Sequence, residues 1–378
     1  MNFETSRSSA LNKLNSFIEN DILNYNSKRN FDFGIKNRNN VSCLSPYITH
    51  RLITEYETVK KVLLKHPFQK VDKFIQEIFW RIYWKGWLEL RPKVWSDFTG
   101  DLKDINEDDN YKKAINGETQ IKCFNDWVKE LKENNYLHNH TRMWLASIWI
   151  FTLNLPWQKG AEFFIKNLLD GDAASNTLSW RWVAGLQTKG KHYVAQSWNI
   201  NKFTNNKYQN VKLNEKVSPL TDGRDYKITP LNLNFEANFN ENLIVFENEL
   251  NLENRKLKDY KNIYLILLSN DVRKIKLEKR VFEFKLKMIN DQKKRFNQIQ
   301  VYDEKKFKTL IEKVKYFDVI YPCIGENYSY LNNIEKTRNL KLNFILRDED
   351  RFSWQFSSKG FFNFKNNIPK IITSFNLQ

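Results

Sequence analysis

Within Phe74-Ile75-Gln76-Glu77-Ile78-Phe79-Trp80-Arg81-Ile82-Tyr83-Trp84, the residues Glu77, Trp80, Arg81 and Trp84 are spaced by three and four. On a helix that spacing puts them on one face. A carboxylate, flat aromatic rings and a guanidinium side by side suit a planar heterocycle beside a phosphate, through hydrogen bonding, stacking and charge pairing. An aromatic core stripe with Glu77 and Arg81 reaching out from its edge gives the same pattern, so the segment alone leaves both readings open. Three other segments carry polar chemistry: Ser42-Cys43-Leu44-Ser45-Pro46-Tyr47, His138-Asn139-His140-Thr141-Arg142-Met143-Trp144, and Asp170-Gly171-Asp172 running on to Asn176 and Trp180-Arg181-Trp182. His138 and His140 have the look of a metal pair, but no third ligand lies near them. Asp-Gly-Asp by itself is an ordinary turn.

The elements that must position these residues divide the chain in two. Eleven of the twelve tryptophans lie between Trp80 and Trp198, and the last is Trp354. The first part, residues 1–205, reads as helical. Leu11, Leu14, Phe17, Ile18 and Leu23 follow a helical period, as do Phe74, Ile78 and Ile82. Ser45-Pro46 puts a proline just inside a helix start, with Ser45 as the expected cap. Further helices are expected over 126–131, 142–152, 160–169 and 178–186. Residues 206–240, rich in Asn, Lys, Thr and Pro, read as a linker. From 241 to 378 the pattern changes. Strands are expected at 263–268, 299–302, 317–321 and 342–346, alternating with helices at 277–296 and 307–314. That alternation argues for a small, mainly parallel α/β domain. No glycine-rich nucleotide loop opens its helices.

Composition narrows the function class. The chain of 378 residues has 61 basic and 44 acidic side chains, a net charge of +17. Residues 241–378 contribute 27 basic and 18 acidic of these, so the excess is spread through the body. A polyanion such as nucleic acid is one partner this favours, and biased composition explains the charge equally well. Cys43, Cys123 and Cys323 are too few and too far apart for a disulfide framework or a four-thiolate cluster. The start, Met1-Asn2-Phe3-Glu4, has no apolar signal region, and the apolar run from Trp144 to Leu155 is shorter than the roughly 20 residues of a membrane span. The expectation is a soluble, cytoplasmic protein with no membrane contact.

The four polar segments, in their order and at their separations, resemble the flavin-binding catalytic domain of the DNA photolyase/cryptochrome superfamily over about Tyr25 to Thr204. The resemblance implies FAD as cofactor, folded into a U inside a helical bundle, and no metal. It implies cofactor contacts from Tyr25, from Ser42, Leu44 and Ser45 at the pyrophosphate, and from Arg81 at the phosphates. Hydroxyls and free N–H groups at a helix start suit such an anion. Arg142 and Asp170 resemble the ion pair against the isoalloxazine, Asp172 a second acidic contact, and Asn176 the residue facing flavin N5. Asn139 lines the same cavity.

On the substrate side, Glu77 resembles the carboxylate that hydrogen-bonds a thymine dimer, and Trp80 the ring on which the dimer stacks. Trp182, Asn139 and Met143 resemble further cavity residues; Asn and Met in those slots are similar to cyclobutane-dimer enzymes, whereas (6-4)-product enzymes carry histidines. Arg29 resembles an arginine on DNA phosphate. Trp180 and Trp157 match the inner two of three tryptophans that pass electrons to the flavin. The third falls near Asp104, where there is none, leaving Trp95, Tyr111 or Trp127 as substitutes. Gly117-Glu118-Thr119-Gln120 departs from the family's Gly-Lys-Thr-Gly-like segment. The α/β part comes last rather than first, and the resemblance suggests a relocated antenna-like domain.

These readings imply an all-helical photolyase-type domain followed by a smaller α/β domain. The activity expected is light-driven repair of cyclobutane pyrimidine dimers in DNA by electron transfer from excited reduced flavin. Two alternatives differ in class: a cryptochrome-like photoreceptor or redox flavoprotein without repair, and a helical nucleic-acid-binding protein without cofactor.

Overall fold

The computed structural model describes residues 2–231, 237, 241–253 and 255–378; part of the expected linker lies outside them. The helical half opens with α1 (Arg7–Asn20), capped by the Ser6 side chain accepting from Ser9 N–H, with Ala10, Leu14, Phe17 and Ile18 buried. Then come α2 (Tyr25–Lys28), α3 (Ser45–Thr49) and α4 (Glu55–Leu63). Ser45 is the first helical residue of α3 and not its cap; Leu44 holds the capping position and no side chain caps it. Proline at the next position is what sets the start.

The 22-residue α5 (Phe68–Glu89) follows Pro67 and buries Val71, Phe74, Ile75, Ile78, Phe79, Ile82 and Tyr83, among others. Apolar residues on most of its circumference make it a central helix with neighbours all round. Around it lie α6 (Lys93–Asp101), α7 (Asp109–Asn116), α8 (Lys122–Asn134), α9 (Asn139–Ser147), α10 (Trp157–Asn167), α11 (Ala173–Ala184) and α12 (Ser197–Phe203). A π-helical turn, Ile148–Thr152, extends α9. Asp172 caps α11 through Ser175 N–H, and Gly185 ends it in the left-handed region, φ 84°.

Residues 206–231 contain no helix or strand, and they are fastened to the helices. Arg224 pairs with Asp101 through two bonds of 2.8 Å, and Leu220 N–H donates to the Ala184 carbonyl.

The α/β half has five parallel strands, β1 (Asn242–Phe246), β2 (Asn262–Ile266), β3 (Ile299–Tyr302), β4 (Tyr316–Ile320) and β5 (Lys341–Ile345), in the order β3-β2-β1-β4-β5. The expected strands match β2 to β5 within two residues, and β1 was not among them. Helices α13 (Lys279–Arg295), α14 (Glu304–Lys313) and α15 (Glu326–Arg338) connect the strands. Three short helices, α16 (Asp348–Trp354), α17 (Phe361–Lys365) and α18 (Ile368–Ser374), end the chain.

The two halves share buried charge. Arg51 reaches from just after α3 to Asp350 on α16 at 2.5 Å and to Glu249 at 2.7 Å, with Glu55 at 3.5 Å. Strand order reverses between β1 and β4, where parallel sheets bind ligands. Here that crevice faces the helical half and is filled by a charge cluster. Arg273 and Lys285 lie 2.9 and 3.6 Å from Glu247, and Lys285 Nζ is 2.9 Å from His50 Nε2. Burial pushes Glu247 up, but Arg273 and Lys285 outweigh it and hold the carboxyl down at about 2. The remaining space is about 70 Å³, well under the roughly 300–1,000 Å³ of ordinary ligand pockets. No described helix is long and apolar enough to cross a membrane.

Candidate functional site

Helix α5 carries Glu77, Trp80 and Arg81 as the spacing predicts, all half-buried. Sequence reasoning missed their partners. Arg29, just after α2, donates to Glu77 at 2.6 Å. Burial raises the Glu77 carboxyl above its usual range, with Arg29 opposing. Tyr25, four residues before Arg29, packs edge-on against Phe74 of α5 at 5.3 Å, and burial lifts its phenol well above the usual range. The structure thus brings Tyr25, Arg29 and Glu77 together.

Trp80 is not an open platform on both faces. Phe361 of α17 stacks on it with centroids 3.6 Å apart and planes at 12°, while Tyr83 and Trp84 touch its ring at 5.5 and 5.0 Å. Nothing local to α5 foretells a ring 281 positions away.

Arg81 donates to the Thr49 hydroxyl at the end of α3, and its Nε is buried without a partner. On the turn before α3, Ser42 and Cys43 line a cavity of about 310 Å³ together with Lys13, Ser16, Lys36, Arg38 and Asn39. Arg38 spends one amine on Asp32 and Glu130; its Nε and Nη1 are buried and unpartnered. Leu44 is buried and Ser45 half-buried.

The third group sits where α9 meets the turn before α11. Arg142 and Asp170 form an ion pair at 3.0 Å, and Asp170 Oδ1 is buried without a partner. Arg142 also lies over the Tyr136 ring, 5.2 Å from its centroid. Asp172 is already engaged, as cap of α11 and 3.8 Å from the buried Lys85. Asn176 donates its amide to the Ala161 carbonyl at 2.9 Å, leaving its side-chain oxygen for another partner. Asn139 is exposed at the start of α9, and Met143 is half-buried one turn on. Trp182 stacks on Tyr193 at 5.6 Å.

The two histidines face different partners. His138 Nδ1 accepts from His140 N–H, while His140 lies on the Trp144 ring at 4.4 Å with its Nδ1 against the Asn30 carbonyl. Burial lowers His138 to about 4, so it is neutral. Among the described residues no group of three or more His, Cys, Asp or Glu side chains is placed to hold a metal.

Lys13, Lys36 and Arg38 outnumber Asp21 on the lining of the Ser42 cavity, and with the hydroxyls they suit an anion. Unpartnered buried atoms on Arg81 and Asp170 are polar groups that a ligand would satisfy. This donor set is chemically compatible with a flavin dinucleotide, which Ser42 and Arg38 would meet at phosphate while the open polar atoms of Arg81 and Asp170 would take further bonds.

Part of this chain is similar to known proteins. Residues 74–217 match the family model described as the FAD binding domain of DNA photolyase. A deoxyribodipyrimidine photo-lyase of Agrobacterium fabrum is 31% identical over 183 residues, 47% of this chain and 37% of that protein. One from Buchnera aphidicola is 28% identical over 181 residues, 44% and 37%. The chain thus spans well under half the length of these relatives. Among solved structures, a class III photolyase from Agrobacterium tumefaciens aligns with TM-score 0.45 and 25% identity over 52% of this chain and 42% of that one. A Synechocystis cryptochrome aligns with TM-score 0.48 and 21% identity over 54% and 44%. Over residues 74–217 this chain is similar to the FAD binding domain of DNA photolyase.

Proposed function

We propose that this protein repairs cyclobutane pyrimidine dimers in DNA by light-driven electron transfer. The observation that carries the reading is the joint placement of Glu77, Trp80 and Arg81 on α5, with Arg29 on Glu77. Flavin binding needs Arg81 but has no use for the other three. Bound FAD, when reduced and excited by blue light, supplies the electron that opens the cyclobutane ring and recovers it afterwards.

The chain's own residues do the rest. Ser42 and Arg81 hold phosphate, and the Arg142–Asp170 pair orients the heterocycle. A lesion flipped out of the duplex stacks on the face of Trp80 away from Phe361 and meets Trp182, Met143 and Asn139 on the other walls. Glu77 exchanges its bond with Arg29 for one to the pyrimidine edge, freeing Arg29 for a backbone phosphate. Each exchange trades one charge-assisted hydrogen bond for another, so neither group is left buried and unpaired.

A second reading, a photoreceptor or redox flavoprotein without repair, draws on one observation: Phe361 already occupies a face of Trp80. The test is dimer repair under blue light by the chemically reduced, FAD-loaded protein, beside Glu77→Ala with equal FAD content. Light-dependent repair that falls roughly tenfold or more in Glu77→Ala, the loss of at least about 1.4 kcal/mol of transition-state binding, is the expected result. Absence of repair in the loaded parent, or a variant as fast as the parent, overturns the reading.

A further inference from the structure

Helix α11 places Asn176 and Trp180 four residues apart, on one face. Trp180 is therefore the indole next to the expected flavin position, and its Nε1 is buried without a partner. Two paths of rings lead away from that helix, and they differ in chemistry.

The first path is contiguous. Trp180 meets Trp149 edge-to-face with centroids 6.1 Å apart at 84°. Trp149 meets Tyr111 in the same way, 5.9 Å apart at 85°. The approach of the two indoles depends on Gly160. A Cβ there would lie 2.2 and 2.4 Å from two Trp180 ring carbons and 3.0 Å from Trp149 Nε1. Trp149 sits in the π-helical turn Ile148–Thr152, fully buried, its Nε1 donating to the Pro156 carbonyl at 2.9 Å. Such turns inside α-helices are frequent at functional sites. Tyr111 ends the path beneath the surface, beside Lys159, which pairs with Glu107 and Glu162.

The second path is not contiguous in ring contacts. Trp157 makes no ring contact with Trp180 among the described residues; it stacks on Phe98 at 5.5 Å, and beyond Phe98 lies Trp95 at 5.7 Å. Phenylalanine is much harder to oxidise than tryptophan or tyrosine. Trp127 belongs to a separate stack with Trp144 and Tyr208.

We infer that electrons reach the flavin of this protein along Tyr111, Trp149 and Trp180, with Trp149 in place of Trp157 as relay and Tyr111 as terminal donor. The inference rests on FAD binding and does not require repair. One electron leaves Trp180 for the photoexcited oxidised cofactor. Trp149 refills Trp180, and Tyr111 refills Trp149 while its phenolic proton passes to water or to the Glu107 carboxylate. A thiol in solution then returns one electron and one proton to Tyr111 and is itself oxidised. Burial, with Glu107 and Glu162 nearby, raises the phenol to about 12, so Tyr111 is neutral before the step and has a proton to lose.

The test follows blue-light photoreduction of the full chain loaded with FAD, in the presence of a thiol and without oxygen. Parent, Trp149→Phe, Trp157→Phe and Tyr111→Phe are compared at matched flavin absorption. Photoreduction roughly tenfold or more slower in Trp149→Phe, a barrier increase of at least about 1.4 kcal/mol, with a smaller effect in Trp157→Phe, supports the route. A tyrosyl radical in the parent that changes its resonance with ring-deuterated tyrosine and vanishes in Tyr111→Phe supports its end point, and that reading survives even if the tryptophan variants fold poorly. The inference is overturned if Trp157→Phe is the slower variant, if Trp149→Phe matches the parent, or if the parent gives no tyrosyl radical or one that persists in Tyr111→Phe. Repair after chemical reduction bypasses the route, so failure of the repair reading and failure of this one appear in different assays.

Discussion

Replacing Gly160 and Gly100 by alanine in separate proteins asks whether the two indoles meet where the structure has them. Both glycines are helical, Gly160 in α10 and Gly100 near the end of α6. Alanine gains up to about 1 kcal/mol over glycine in a helix, because the unfolded chain loses freedom and no polar group is buried. At Gly100 an added Cβ meets nothing within 4 Å, so that gain is realised. At Gly160 the same methyl falls 2.2 and 2.4 Å from the far edge of the Trp180 ring. The indole is itself 2% exposed and wedged against Trp149 and Phe164, so it has no free direction. Overpacking of this kind costs about 1–3 kcal/mol. With the upper end of that range and the helix gain subtracted, Gly160→Ala is destabilising by about 2 kcal/mol. The two variants should differ by about 3 kcal/mol, with opposite signs relative to the parent. Urea unfolding followed by tryptophan fluorescence reads this as midpoints on either side of the parental one, at unchanged slope. A Gly160→Ala midpoint at or above the parent's would refute the close approach, and with it the basis for Trp149 as a relay.

Two further predictions concern the seam between the halves. Burial raises Glu89 to about 7 even though Tyr321 O–H and Ile324 N–H donate to it. The native state therefore binds more protons than the unfolded one between about pH 4.5 and 7, and stability falls as pH rises through that window, by about 3 kcal/mol in all; in Glu89→Gln the unfolding midpoint should lose this slope and exceed the parent's at pH 8. Arg51→Met leaves the carboxylates of Asp350 and Glu55 buried without the guanidinium that pairs with them, while Glu249 keeps Arg347 at 3.2 Å, and should cost about 3–5 kcal/mol; denaturation with the parental midpoint would show that Asp350 and Glu55 find other partners.

What the sequence made legible follows the range over which its signals act. Glu77, Trp80 and Arg81 share a face because three and four residues make a helical turn, and that needs no knowledge of the rest of the fold. Ser45 was misassigned as a cap by one position, since a serine before a proline fits either side of a helix start. Strand β1 escaped because Leu-Ile-Val-Phe is only four apolar residues beside an asparagine-rich stretch. Its partners β2 and β4 are not both adjacent in sequence, so no hairpin signal marks it. The Arg142–Asp170 pair came from resemblance; periodicity has nothing to say about residues 28 apart. Longer-range features left no trace: Arg29 on Glu77, Phe361 on Trp80, Arg51 on Asp350. The contact of Trp149 with Trp180 was hidden for the same reason. Its signal is a missing Cβ at Gly160, which a reader sees as a weak helix position until Trp180 is known to lie above it.

Two of those long-range contacts, Arg29 on Glu77 and Phe361 on Trp80, meet on α5, and this bears on how Phe361 acts. The helix turns Glu77 and Arg81 toward the polar groups of the helical half. Its Tyr83 and Gly86 face the C-terminal helices, where Tyr83 O–H donates to the Lys359 carbonyl and Gly86 lies against Trp354 and Ser357. Trp80 stands between the two sides. An indole held only at its edges could swing between rotamers, and ordering it on substrate binding would cost free energy. A parallel partner at 3.6 Å on one face contributes about 0.5–1.5 kcal/mol toward a single orientation while leaving the second face for a planar ligand. On that account the C-terminal segment backs the ring it covers, and the α/β half is part of the site's support through α5, not an appendage to it. The repair assay separates backing from blocking: a backed indole still takes a dimer on its second face, and a blocked one does not.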